Sequence, residues 1–125
     1  MPEVMYDNRG QYEQLQPWIL PDETLHAVFD CKGWQTGFLG ITDKRLLFYN
    51  KEFMRKRKAL VSVPFNKITS VGSIDEGRGA LGWGSHSLLV VRAGAGEDYE
   101  FEFRGGDKAQ RAYQLIMSET LQNEP

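Results

Sequence analysis

Between residues 25 and 103 apolar residues recur at every second position in a series of short stretches, and from residue 107 onward at helical spacing. That change of period limits the fold more than any motif in the chain. Leu25, Ala27, Phe29 and Cys31 alternate with His26, Val28, Asp30 and Lys32, which predicts a strand with one better-buried face. "WQTGFLGITD" predicts a second strand after a turn at Gly33, and "RLLFYN" a third after the tight turn Asp43-Lys44-Arg45. "NKEFMRKRKA" reads as a charged connection. "LVSVPF" is the fourth strand, with Pro64 marking an edge or an end, and "KITSVGSID" the fifth. "SHSLLVVRA" and "YEFEFR" are the sixth and seventh, joined by the hairpin turn "AGAGED". In the seventh, Tyr99, Phe101 and Phe103 oppose Glu100, Glu102 and Arg104, as expected of an antiparallel strand with one wet face.

The segment "GGDKAQRAYQLIMSETLQ" predicts one helix over about residues 107–121. Asp107 is the expected N-cap, with Gln110 completing a capping box. Ala109, Ala112, Tyr113 and Ile116 form its apolar face, and Gln114 its outer face. At the other end, Tyr12, Leu15 and Ile19 share a helical face, so a short helix near residues 9–16 is expected, ended by Pro17 and followed by an extended "PWILPDE". The expected architecture is mainly β, a barrel or sandwich of seven antiparallel strands with one C-terminal helix. Residues 1–20 form an extension and residues 21–125 one domain.

The chain's 125 residues suit a single domain, and a hydrophobic content of 41% is enough to form a core without disulfides. With one cysteine, no disulfide can close within the chain, and a reducing compartment is expected. A net charge of −2 argues against a nucleic-acid grip. The N-terminus lacks the basic and apolar regions of a secretory leader, and "LLVV" at 88–91 is far too short to span a bilayer. The expected location is the cytoplasm, with peripheral contact at the inner membrane face as the alternative.

Gly77, Gly79 and Gly82 spell G-x-G-x-x-G within "EGRGALGWGSHS". A dinucleotide loop of that spelling must open a helix, whose N-terminus holds the pyrophosphate. Here "WGSHSLLVVRA" follows, which reads as strand, so a glycine-rich hairpin is expected and no cofactor. Trp83 in that hairpin is a candidate exposed contact. His26 and His86 lack metal-ligand spacing. Cys31 sits on an apolar strand face, where a structural thiol is expected. The run Glu97, Asp98, Glu100 and Glu102 reads as a solvated outer face. No nucleophile, base and orienting group come together, so no catalytic residue and no metal site is expected.

One local charge cluster stands out. Lys51, Arg55, Lys56, Arg57 and Lys58 are set against Glu52 alone, with Phe53 and Met54 among them. At a projecting hairpin tip, such residues could contact an anionic membrane or phosphate, since each cation near such a surface contributes ~1 kcal/mol. A solvated loop protecting a sheet edge and a protein contact are the other readings.

The segment "GFLGITDKRLLFYNK…LVSVPFNKITSVGSI" resembles bacterial pleckstrin-homology (PH) domains of the YokE-like kind and the related GRAM domains. The matching residues are Gly37, Leu39, Thr42, Asp43, Arg45, Leu46, Phe48, Tyr49, Pro64, Ile68 and Val71, and "LPDETLHAVF" resembles the family's entry segment. The likeness runs from about residue 20 to 121. It implies two roughly orthogonal antiparallel sheets of seven strands, capped at one open end by the C-terminal helix. Members that bind phosphoinositides carry a basic cluster in the first hairpin; the corresponding "DCKGWQTGFLG" holds Lys32 alone. The expected function is therefore a non-enzymatic binding or adaptor module with a protein partner, using an exposed sheet edge or the groove beside the C-terminal helix. The alternative is a peripheral binder of anionic lipid or phosphate through residues 51–58.

Overall fold

A computed structural model describes residues 4–32, 37–54, 57–78, 85–94 and 96–122. The protein is mainly β, with a short N-terminal helix and a C-terminal helix, consistent with a PH-like fold. Contacts divide it into two compact units, Met1–Pro64 and Phe65–Pro125.

In the first unit, the alternating stretches become β2 (Leu25–Lys32), β3 (Phe38–Thr42), β4 (Arg45–Met54) and β5 (Arg57–Pro64). They pair antiparallel in chain order. A two-residue strand, β1 (Met5–Tyr6), adds to β2 in parallel, which the sequence did not suggest. Both faces of this sheet are apolar. One carries Ala27, Phe29, Cys31, Leu39, Ile41, Leu46, Phe48 and Val63, all buried. The other carries Val28, Phe38 and Leu47, which pack with Leu25 and with Leu15 from the N-terminal segment.

That segment forms α1 (Arg9–Leu15), whose first amides are capped by Asn8: Gly10 N–H donates to Asn8 Oδ1 at 2.8 Å. Tyr12, Leu15 and Ile19 meet the sheet, as their spacing predicts. The expectation of extended chain from Pro17 is corrected. A 3-10 turn, Gln16–Trp18, comes first, because proline's missing N–H and fixed φ suit the opening turn of a helix. Leu15 is fully enclosed and sits over Gly40, where a Cβ would collide with Leu15 Cδ1. Glycine at that point is what admits the leucine.

The expected charged connection at 50–59 is also corrected: β4 and β5 run through it as the arms of a hairpin, with Met54 opposite Arg57. Residues 55–56 lie outside the described residues.

In the second unit, β6 (Ile68–Arg78), β7 (Ser85–Ala93) and β8 (Glu97–Arg104) form an antiparallel meander. Pro64 ends β5, and a 3-10 turn, Phe65–Lys67, leads into β6. Helix α2 (Lys108–Gln122) packs on this meander, with Ala109, Ala112 and Ile116 at 0% exposure against the face that carries Leu89, Val91, Phe101 and Phe103. Its start is fixed from β7: Ser87 Oγ donates to Gly105 O (2.6 Å) and accepts from Ala109 N–H (3.1 Å). Gly105 turns the chain at φ +126°, which glycine alone adopts readily. Asp107 pairs with Arg111 at 3.1 Å. Tyr113, expected among the sealing residues, is only half-buried, on the flank of the helix.

Candidate protein-docking groove

β6 lies at the end of the strand order, paired with β7 on one side and with no strand on the other among the described residues. An open edge of this kind presents a row of unsatisfied N–H and C=O groups. The row is regular only over residues 70–75, between irregularities at Ile68/Ser70 and Asp75/Gly77. Bulges that bound a strand in this way limit pairing to a short stretch.

Alongside that stretch, Val71, Gly72 and Ser73 form one wall of an open groove of about 580 Å³. Gly106, Gln110, Tyr113 and Gln114, from α2 and the turn before it, complete the lining. The helix presents these side chains because Ala109, Ala112 and Ile116 are turned into the sheet, which leaves 110, 113 and 114 along its flank. Val71 and Ser73, paired with the buried Val91 and Leu89, stand on the α2 side of β6, and Gly72 between them contributes only backbone to this wall. The lining supplies primary amides, which both donate and accept, a serine hydroxyl, a phenol and the aliphatic Val71. Such groups can hold an extended backbone by strand addition while fitting its side chains. They are not a set for proton transfer or nucleophilic attack.

The residues singled out in the sequence are elsewhere. Lys51, Phe53 and Met54 end β4, and Arg57 and Lys58 begin β5. Arg55 and Lys56 lie outside the described residues, as do Gly79, Gly82 and Trp83. Gly77 lies in β6 opposite His86, and the chain re-enters β7 at Ser85, so the glycine segment joins two strands as expected. Cys31 is buried, and burial, with the charges of Asp30 and Asp7, pushes its thiol far above the usual range. Sequence reasoning named the groove beside the C-terminal helix, but it gave Val71, Gln110, Tyr113 and Gln114 other roles and did not assign them to the groove. Gly72 inside a strand is the signal that could have found it.

The motif residues Thr42, Asp43 and Arg45 meet Glu23 in a separate network. Arg45 Nε donates to Glu23 Oε2 (2.7 Å) and Nη2 to Oε1 (2.8 Å). Thr42 Oγ1 donates to Glu23 Oε2 (2.7 Å) and accepts from the Lys44 and Arg45 amides, both at 3.0 Å. Asp43 Oδ1 accepts from Thr24 N–H (2.9 Å). Arg45 also reaches Trp18 O and Ser62 Oγ, both at 2.9 Å. The signature "TDKR" thus ties the β3–β4 turn to the segment entering β2, and its polar groups are spent on one another.

No helix among the described residues is long and apolar enough to cross a membrane. No curated protein matches the chain. Residues 19–117 match the family described as "Bacterial PH domain". The eight-strand and C-terminal-helix layout agrees with that match, and so does the coverage of most of the sequence: the chain belongs to the bacterial PH domain family.

Proposed function

We propose that this protein is a non-enzymatic adaptor, of the YokE-like, GRAM-like kind its sequence resembles, that binds an extended segment of a partner protein along the open edge of β6. The single observation that carries this reading is the groove between residues 71–73 and α2, open beside a strand with one unpaired side among the described residues. Family membership supports a binding role, and the open groove supports this location for it. Backbone hydrogen bonds to residues 70–75 would give affinity, and contacts with Val71, Gln110, Tyr113 and Gln114 would give selectivity.

Selection of peptides from a random display library, followed by titration, tests it. Selected peptides should protect the amides of β6 from exchange, and Tyr113→Ala should weaken them by about tenfold, the effect of ~1.4 kcal/mol. Ser73→Arg, which carries a bulky side chain into the groove on the α2 side of β6, should abolish binding while the protein stays folded. Peptides that bind with undiminished affinity to both variants would sink the reading.

The second reading, anionic lipid or phosphate contact through 51–58, is supported by the way β4 and β5 carry this basic run out along a hairpin. Co-sedimentation with anionic vesicles, lost at high salt and on replacing Arg57 and Lys58 by Glu, is its expected result.

A further inference from the structure

Four side chains that line the β6–α2 groove can form hydrogen bonds: Ser73, Gln110, Tyr113 and Gln114. None of them is held in a hydrogen bond or ion pair among the described residues. The polar groups around Glu23 and Arg45, by contrast, satisfy one another. Gln110 stands where the sequence expects a capping box, yet it closes none. The first turn of α2 is held from β7 instead, where Ser87 Oγ accepts from the Ala109 amide at 3.1 Å. The carboxamide of Gln110 is left to the groove.

The two glutamines are one helical turn apart on α2, a rise of about 6 Å, and share one flank of it. In an extended segment, side chains that face one way recur every two residues, about 6.6 Å apart. A strand added to β6 would therefore bring successive α2-facing side chains to Gln110 and Gln114 in turn, with Tyr113 on the same flank. The two irregularities of β6 match the length of the paired stretch to residues 70–75. A primary carboxamide both donates and accepts, so a second carboxamide answers it twice, with one N–H···O bond in each direction. An ammonium only donates and a carboxylate only accepts. Either would leave half of each glutamine to water while shedding part of its own hydration.

We propose that the groove selects an extended partner segment carrying primary carboxamides, asparagine or glutamine, at two alternate positions, one answered by Gln110 and the next by Gln114. This rests on the groove being the binding site, as proposed above, and adds the chemistry of its partner. Backbone pairing to β6 is blind to side chains; the carboxamide pairs are what distinguish one extended segment from another.

The probes are three capped, fluorescently labelled peptides of about eight residues: alternating glutamine and valine, alternating glutamate and valine, and alternating lysine and valine. They are titrated at a salt concentration that screens long-range charge. Amide exchange at residues 70–75 reports whether a peptide lies on β6 at all, and the differences in affinity report the selection. The glutamine peptide should protect these amides and bind about tenfold more tightly than either charged one, the effect of two further net hydrogen bonds. Replacing Gln110 and Gln114 together by Leu, which keeps helix propensity, should bring the three affinities to within about twofold and leave the protection in place. Melting curves check that the variant is folded. Charged peptides that protect β6 and bind as tightly as the glutamine peptide would overturn the selection and leave the groove reading standing. A glutamine preference that survives the double replacement would also overturn it, because other groups would then be responsible. A glutamine peptide that binds without protecting β6 would overturn the groove reading, and the selection with it.

Discussion

Glu23 is nearly enclosed, at 7% exposure, yet it is charged. Burial on its own pushes the carboxyl upward; the hydrogen bonds from Arg45, Thr42 and the Leu20 amide, with the Arg45 charge, outweigh that and leave it below its ordinary 4.5. A carboxylate whose pKa falls on folding stabilises the folded state at pH values above its unfolded pKa. That contribution is lost as pH drops through the lower folded value. Thermal melts should therefore show a loss of stability below about pH 4.5 that is reduced in Glu23→Gln. Removing the partner is worse than removing the acid. Arg45→Met strands a buried carboxylate and should cost about 3 kcal/mol or more at neutral pH, read by urea denaturation. A wild-type-like midpoint for Arg45→Met would show that the pair is not a support of the fold. The sequence marked Thr42, Asp43 and Arg45 through family likeness. It could not show their purpose, because the partner carboxylate lies about twenty residues away and only the fold brings it near.

At the scale of elements, strands rich in apolar residues were legible and strand segments without them were not. β2 and β7 fall where the two-residue period places them, since each has one face at or near zero exposure. The outer arms of β4 and β5 carry the charged run 51–58, where the sequence has no apolar alternation to betray a strand. α2 was legible for the same reason as β2: a 3.6-residue period of small and large apolar residues. Its N-terminal support was not, because Ser87 reaches it from another strand. The helix gives a two-sided expectation. Ile116 is fully buried, so Ile116→Asp should remove most of the ~5–15 kcal/mol that holds a domain of this size together. Gln114 is exposed, so Gln114→Asp should change stability by less than ~0.5 kcal/mol. Equal melting temperatures for the two would mean that the helix seats a different face.

At the scale of the whole molecule, the family match begins at residue 19, but the packing of the first unit begins earlier. Leu15 is at 0% exposure, and Val4, Tyr12 and Ile19 pack against the same cluster. Asp7 accepts from the Asp30 amide at 2.9 Å, and Gln11 donates to Asp30 Oδ1 at 2.7 Å. These contacts cover Val28, Phe38 and Leu47, which occupy a sheet face that would otherwise be apolar and wet. The N-terminal segment is therefore an integral layer of the first unit rather than a tail. Losing a buried leucine alone costs about 2–5 kcal/mol, and removing residues 1–18 takes away the caps, the aromatic contacts and β1 with it. We expect the truncated chain, which still contains the whole matched segment, to lose more than half of the ~5–15 kcal/mol available to a domain. It should also bind a hydrophobic dye, because a contiguous apolar face has been uncovered. Leu15→Ala should reproduce part of the loss without altering chain length. A truncated protein that melts within a few degrees of the full chain and leaves the dye dark would show that residues 4–18 rest on the sheet without supporting it.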